Sequence, residues 1–501
     1  MANKPSIDNS KIPEYVTHVT ETLEKNGFEV FLVGGCVRDL ILNKDPKDWD
    51  ITTNATPEEI ALLFEKTVYE NAFGTVMVCL PIVTHETEND VNHETKYDVV
   101  EVTPYRIEEK YSDSRHPDQV IFSKNLEDDL KRRDFTINAM AYNPSKGQLV
   151  DLYKGQEDIK DKIIKAVGEP LDRFNEDALR MLRAIRFSTQ LNFAIDYTTM
   201  TAIVDNSESL KKISFERIRD EFTKIIESNN PSVGIGMLSK LGLLKFIIPE
   251  LEEGIGCEQG GAHLYDVFEH CLGALAHAAE KNFSTEIRLA ALFHDIGKPR
   301  TRREGKKKAY TFYGHEVVGA RMVKTIMERL RYPKKTTDLV VSLVRNHMFF
   351  SDTEQITLSA VRRIVQKVGK EHIWDLMDIR ECDRVGMKKK EAPYRLRKYH
   401  AMIEEVLHDP ISVTQLVIDG NILMNDLHIK PSPRMGWILN ALLEEVLEDP
   451  QKNNLEYLKS RAVELDTLTD ADLKQKGEEG KEKKEELEEE EVKKLHKKHG
   501  V

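Results

Sequence analysis

The sequence has no run of eighteen apolar residues and no basic segment leading into an apolar one at its start. A membrane-spanning helix needs about 20 such residues, so neither a spanning nor a secreted protein is expected. Cysteine is sparse. The five residues, Cys36, Cys79, Cys257, Cys271 and Cys382, are scattered and include no C-x-x-C pair. That pattern argues against a thiolate zinc site and a disulfide framework, and it suits a reducing, cytoplasmic setting. Net positive charge is missing too: the formal charge is −13, which would ordinarily count against a nucleic-acid partner. The basic residues are clustered, however, at Lys131-Arg132-Arg133, at Arg180, Arg183 and Arg186, and at Arg217 and Arg219. An acidic chain with local basic troughs leaves that partner open.

What is present is enough chain for several domains. The sequence has 501 residues, 40% of them hydrophobic, and single cores stop growing near ~250–300 residues. Residues 1–150 mix β-type runs (Val30–Val33, Val76–Val83, Tyr97–Val102, Val120–Phe122) with a helix over Thr56–Glu65, capped by Thr56 with Pro57 at its first position. Residues 151–253 are strongly helical, with amphipathic stretches over Asp177–Leu191, Ile213–Ile226 and Gly234–Phe246. Residues 254–390 hold most of the informative histidines. Residues 391–465 form a further helical region with a turn at Pro431-Ser432-Pro433. Residues 466–501 are rich in Lys and Glu and read as one charged helix or as disorder, with disorder expected. The fold class is α+β, mainly α.

The densest information lies in Phe31-Leu-Val-Gly-Gly-Cys-Val-Arg-Asp39 and Asp48-Trp-Asp50. An apolar strand opens through Gly34 and Gly35 into a helix, a junction where backbone N–H groups approach a phosphate closely. Asp48 and Asp50 would share one face of a strand. Two hard oxygen ligands beside a triphosphate cradle suit Mg²⁺-dependent nucleotidyl transfer. A second block, Arg132-Arg-Asp-Phe-Thr-Ile-Asn-Ala-Met-Ala141, offers arginine forks for phosphate and an aspartate for a ribose hydroxyl. In a third, Asn175–Phe187, Asp177, Arg180, Arg183 and Arg186 recur every three residues and would form one polar stripe on a helix. An Asp/Arg pair at i, i+3 complements the Watson–Crick edge of cytosine and, with a rotated base, of adenine. Three arginines with one aspartate leave a surplus of positive charge for a polyphosphate or polynucleotide.

Together the motifs G-G-x-V-R-D, D-x-D, R-R-D-F-T-x-N-A and E-D-x-x-R, in this order over residues 14–250, resemble the class II tRNA nucleotidyltransferases. These are the bacterial CCA-adding enzymes and their poly(A) polymerase relatives. The resemblance implies a polymerase-β-like head with a small mixed sheet, followed by helical neck and body. It implies that Asp48 and Asp50 bind two Mg²⁺ ions, with Glu101 as a third carboxylate. Gly34, Gly35 and Arg38 would hold the triphosphate, and Arg133, Asp134 and Asn138 would sit at phosphate and ribose. Asp177 and Arg180 would read CTP or ATP, with Arg183 and Arg186 completing the nucleotide pocket. The acceptor would be the tRNA 3′ end. A flexible loop over Tyr105–Val120, with Arg106 and Asp113, favours full CCA addition over CC addition, and leaves A-only addition and poly(A) synthesis open.

Val267-Phe-Glu-His270, Leu292-Phe-His-Asp-Ile-Gly-Lys298 and Asp383-Arg384 resemble an HD phosphohydrolase domain. His270, His294, Asp295 and Asp383 would hold a divalent metal, and His315 and His347 a second one. Such domains are associated with phosphatase or 2′,3′-cyclic phosphodiesterase activity. A phosphohydrolase guided to RNA by a nucleotide-binding head is therefore a competing reading. A non-enzymatic RNA-binding module is a distant third, because a pure binder has no use for a metal-binding D-x-D.

Overall fold

Val30–Val33 (β1) is buried along nearly its whole length and ends at Gly34, whose φ of +83° turns the chain into Gly35–Ile41 (α2). A side chain at that φ is strained, so glycine suits the turn. Glu14–Lys25 (α1) precedes β1 and buries Val16, Val19 and Leu23. Asp50–Thr53 (β2) pairs antiparallel with β1. Pro57–Leu63 (α3) starts as expected: Thr56 Oγ1 accepts from the Glu59 N–H, and Glu59 accepts from the Thr56 N–H, a capping box.

The computed structural model describes residues 7–69, 74–82, 96–109, 119–260, 265–304, 310–349, 358–385, 393–407 and 416–478. The remaining head strands are Thr67–Tyr69 (β3), Val76–Pro81 (β4), Tyr97–Pro104 (β5), Arg106–Glu109 (β6), Gln119–Phe122 (β7), Met140–Asn143 (β8) and Gln148–Asp151 (β9). Seven of the nine form a mixed sheet in the order β3-β4-β5-β2-β1-β8-β9, with β2 and β5 parallel. Strands β6 and β7 pair as a separate hairpin. Asp113 of the expected loop lies outside the described residues, as does Val83 of the expected strand; β4 as described ends at Pro81.

Helices then dominate: Leu126–Lys131 (α4), Gly155–Asp161 (α5), Pro170–Glu176 (α6), Leu179–Leu191 (α7), Tyr197–Asn206 (α8), Phe215–Ile226 (α9) and Pro231–Lys240 (α10). The stretch Gly234–Phe246 is not one helix. The chain leaves α10 at Leu241, turns through Gly242 at φ +71°, and resumes as Leu244–Ile247 (α11) and Pro249–Glu252 (α12). Val267–Glu280 (α13), Thr285–Phe293 (α14), Lys298–Thr301 (α15), His315–Arg329 (α16) and Lys334–Asn346 (α17) follow.

The chain divides into two compact units, Met1–Arg345 and Asn346–Val501. The second contains Leu358–Val368 (α18), Ile373–Asp383 (α19), Pro393–Leu407 (α20), Gly420–Asn425 (α21), Pro433–Glu448 (α22) and Leu455–Asp466 (α23). Its C-terminal core gathers Ile418, Leu423, Ile438, Leu442 and Leu458. The expected disorder beyond Asp466 needs correcting. Residues 470–478 are helical and Leu473 is fully buried in the same core. Leu473 docks this helical turn on the core, and Gly477 lies buried against Trp437. Residues 479–501 lie outside the described residues. Among the described residues no helix is long and apolar enough to cross a membrane.

Candidate active site

Asp50 opens β2, and its register partner on the parallel strand β5 is Glu101. Register partners in a parallel pair point to the same face, so the two carboxylates stand side by side. Asp48 departs from expectation: it lies in a bend before β2, exposed to solvent, while Trp49 between them is buried. On the β1 edge, the pairing register would set Val33 opposite Asp50, and the chain turns away at Gly34, so Asp48 has no partner on that side. A Cβ on Gly34 would lie 3.1 Å from Arg133 Nη1 and 3.3 Å from Asp50 Oδ2. The glycine turn, the first carboxylate and the R-R-D block thus meet at one point. Burial pushes the Asp50 carboxyl above its ordinary range, with Arg133 opposing and Asp48 adding to the push. Beneath it, burial and Asp50 push the Cys36 thiol up to about 12, which leaves it inert.

Arginines surround this point on buried carboxylates. Asp129, absent from the sequence-based site, is fully buried and accepts from Arg132 (2.6 Å) and Arg133 (2.9 Å). Burial alone would raise it, but the two guanidiniums hold it down to about 2. Its signal was its place three and four residues before the arginines on α4. Arg38 Nη1 donates to Asn138 Oδ1 (2.8 Å), Asn138 Nδ2 donates to Asp134 Oδ1 (3.2 Å), and Arg183 Nε donates to Asp134 Oδ2 (2.7 Å). One relay therefore joins α2, the turn Thr136–Asn138 and α7. Burial opposes ionisation of Asp134, yet Arg183, Arg180 and Asn138 bring it down to about 2.

The polar stripe differs from expectation in two ways. Asp177 is not on the helix: it closes α6 in an extended conformation, two residues before α7. It accepts from Arg217 Nη2 at 2.7 Å and from the Leu179 N–H at 3.0 Å. The surplus of positive charge is also largely met. Arg180 donates to Glu176 (2.5 Å) and to the Arg132 carbonyl (2.9 Å), Arg183 to Asp134, and Arg186 to Glu221 (3.0 Å). Glu221 was missed because spacing within one helix says nothing about partners on another; Glu176, four residues before Arg180 in the E-D-x-x-R motif, and Arg217, in a basic cluster, are in view in the sequence, but without these partners. Burial and the neighbouring Arg183 hold the Arg186 guanidinium down to about 10.

The first unit also assembles four of the expected HD ligands. Asp266 caps α13 and places His270 in its first turn. His294 and Asp295 follow α14 at its C-terminal end, as expected, and His315 opens α16. All four are buried. The Nδ1 atoms of His294 and His315 each lie 2.8 Å from a backbone carbonyl, of Ala291 and Phe312. Donation there leaves each Nε2 with a lone pair facing inward. His294 Nε2 lies 3.2 Å from His270 Nε2 and 3.2 Å from Asp295 Oδ2, and His315 Nε2 lies 3.3 Å from Asp295 Oδ1. Mixed N and O donors converging in this way suit a divalent cation. Lys298 Nζ, held by Gln259 Oε1 at 2.6 Å, sits 2.5 Å from Asp295. Against the effect of burial, Lys298 and the histidines draw the Asp295 carboxyl well below its ordinary range. Gly297 is obligatory here, since a Cβ would lie 2.2 Å from the His315 carbonyl oxygen. His347 is buried just past α17 and Asp383 ends α19; both belong to the second unit.

Comparisons with known proteins agree with this geometry. The family model of the poly A polymerase head domain matches residues 30–165, and that of a probable RNA- and SrmB-binding site of polymerase A matches 192–255. The HD domain model matches 267–386. A CCA-adding enzyme of Lactobacillus delbrueckii subsp. bulgaricus is 46% identical over 458 residues, 89% of this chain and 97% of that protein. Another, of Limosilactobacillus reuteri, is 31% identical over 449 residues, 89% and 95% of the two chains. The match to a Lactobacillus helveticus CCA-adding enzyme, 45% identical over 251 residues, spans 50% of this chain and 57% of that protein. The crystal structure of the Bacillus stearothermophilus CCA-adding enzyme in complex with CTP superposes with a TM-score of 0.60 at 25% identity, covering 93% of this chain and 98% of that one. The head sheet with its carboxylates, the helical body behind it and relatives spanning nearly the full length lead to one conclusion: this chain belongs to the CCA-adding enzyme family.

Proposed function

We propose that the protein is a template-independent nucleotidyltransferase that adds C, C and A to the 3′ end of tRNA, consuming CTP and ATP and releasing pyrophosphate. One observation carries the reading: Asp50 and Glu101 share a face beside the Gly34 turn, with Arg133 over the same glycine. The donor set of Asp48, Asp50 and Glu101 is all oxygen and suits Mg²⁺, which when bound would activate the acceptor 3′-OH and neutralise charge at the α-phosphate. The chain's own contribution is binding and orientation. Gly34 and Gly35 let the backbone approach the triphosphate, and Arg38 and Arg133 hold its oxygens, each already fixed by a partner and so ordered before the ligand arrives. Arg183 and Arg186 line the nucleoside end, where Asp177 and Arg180 read the base edge. A- or CC-addition and poly(A) synthesis are the alternatives within the family. Sequencing the 3′ ends made from a tRNA ending at its discriminator base, with CTP and ATP supplied, separates them. CCA ends are expected; ends stopping at CC, or long A tails, would overturn this assignment.

We infer that the HD domain holds a divalent metal and hydrolyses a phosphate ester as an auxiliary activity. The convergence of two lone-pair-bearing Nε2 atoms on Asp295 supports this. His294→Ala is expected to remove the metal retained by the dialysed protein while CTP and ATP incorporation persists. Unchanged metal content in that variant would contradict the inference.

A further inference from the structure

We propose that the aromatic ring of Phe187 is the positioning residue that gathers the nucleotide-site arginines into one cluster. The inference rests on the nucleotide-binding reading of Arg38, Arg183 and Arg186 given above. The guanidinium carbons of these three arginines lie 5.3, 5.3 and 4.3 Å from the centroid of this one ring. Phe187 is buried, and Phe135 meets its ring edge-on at 5.8 Å and 83°. A cation within about 6 Å of a ring centroid is attracted by the negative face of the quadrupole. Arg183 reaches the ring from one helical turn back on α7 and Arg186 from the adjacent position. Arg38 arrives from α2 in the head, so the ring joins head and neck.

The choice of an aromatic ring has a chemical logic. Three guanidiniums so close repel one another, and each has its own polar partner at the edge of the cluster: Asp39 for Arg38, Asp134 for Arg183, Glu221 for Arg186. A carboxylate at the centre would attract all three but would put a fourth acid among three arginines that already have one each, leaving a net negative cluster to repel a polyphosphate. A ring attracts them and carries no charge, so it orders the cations without adding to the acids that already pair with them. A residue serving only as core packing between α7 and the head would depend on the shape of the ring alone, whereas this role depends on the electron density of its face.

Ring fluorination separates the two. The full-length protein is made with phenylalanine at position 187 carrying one, two or three ring fluorines, which preserve shape and apolarity while draining the ring face. Steady-state addition to tRNA is measured with CTP and with ATP. The KM for both nucleotides is expected to rise with each fluorine, by about 10-fold at the trifluorinated ring, with kcat changing less than about 3-fold. Phe187→Leu, which removes the ring, should reach at least the same KM. A wild-type protein that extends no tRNA would sink the nucleotidyltransferase reading itself. An active wild type with a flat KM across the fluorinated series would overturn the Phe187 proposal alone.

Discussion

Replacing Asp50 with asparagine is expected to lower CTP and ATP incorporation by at least about 1000-fold, because several kcal/mol of metal-assisted charge stabilisation disappears with the ligand. The metal-free fold should not suffer. Asp50 sits against Gly34 at the start of β2, where burial raises its carboxyl and Asp48 raises it further, with only Arg133 and Arg183 opposing at range. The sign follows from linkage. A carboxyl whose folded pKa is raised takes up its proton more readily in the folded state, so its ionised form costs the fold stability above that pKa. Asparagine has nearly the same shape and no charge, and it removes that cost. The melting temperature of metal-free Asp50→Asn at neutral pH should therefore equal or exceed that of wild type. On acidification the wild type should recover the difference as the carboxylate is protonated. Activity and stability moving in opposite directions is the mark of a residue kept for chemistry. A variant that loses activity and unfolds together would place Asp50 in the structural core instead.

Much of this site was legible before the structure, and the parts that were not share a cause. The turn from β1 into α2 follows from an apolar run meeting two glycines. The helix start at Thr56 follows from a capping threonine with a proline at the first position; the return bond of Glu59 emerges only in the structure. The His294-Asp295 pair at a helix end follows from its place in the motif. Each is a local pattern, decided within a few residues. Asp48 was placed in a strand that begins only at Asp50, where β1 on one side has already turned away at Gly34. Asp177 was placed on a helix that begins only at Leu179. The stripe of arginines seemed in surplus because the acids that meet Arg183 and Arg186 come from Asp134 and Glu221, on elements that spacing along α7 cannot see. Leu473 was lost among Lys and Glu for the same reason: its burial depends on a core formed elsewhere.

Asp177→Ala should have its largest effect on choice of base. Asp177 Oδ1 accepts from the Leu179 N–H and Arg217 Nη1, and Oδ2 from Arg217 Nη2, so Oδ2 keeps a lone pair for a further donor, such as an exocyclic amino group. Cytosine N4 and adenine N6 present one; at the same position uracil and guanine present the carbonyl oxygens O4 and O6. Removing the acceptor should reduce the preference for CTP and ATP over UTP and GTP by about 10- to 100-fold. Triphosphate affinity should change much less, since Arg38 and Arg133 are fixed by Asn138 and Asp129 and not by Asp177. The Asp177–Arg217 ion pair is only partly buried, so losing it should cost stability about 1 kcal/mol or less. A fall in selectivity can thus be told apart from unfolding. A variant that loses affinity for all four nucleotides equally, while retaining its preference, would show Asp177 to be a strut for Arg217 and the neck.

In the proposed function, carboxylates on the head sheet carry the chemistry and the start of the neck helix carries the choice of base. The most direct measurement is the rate of incorporation of each of the four nucleoside triphosphates into a tRNA lacking its 3′ end, for wild type, Asp50→Asn and Asp177→Ala side by side. Wild type is expected to use CTP and ATP only, Asp50→Asn to incorporate at least about 1000-fold more slowly, and Asp177→Ala to use all four. Incorporation by Asp50→Asn at a rate near that of wild type, or an unaltered CTP and ATP preference in Asp177→Ala, would contradict the proposed function.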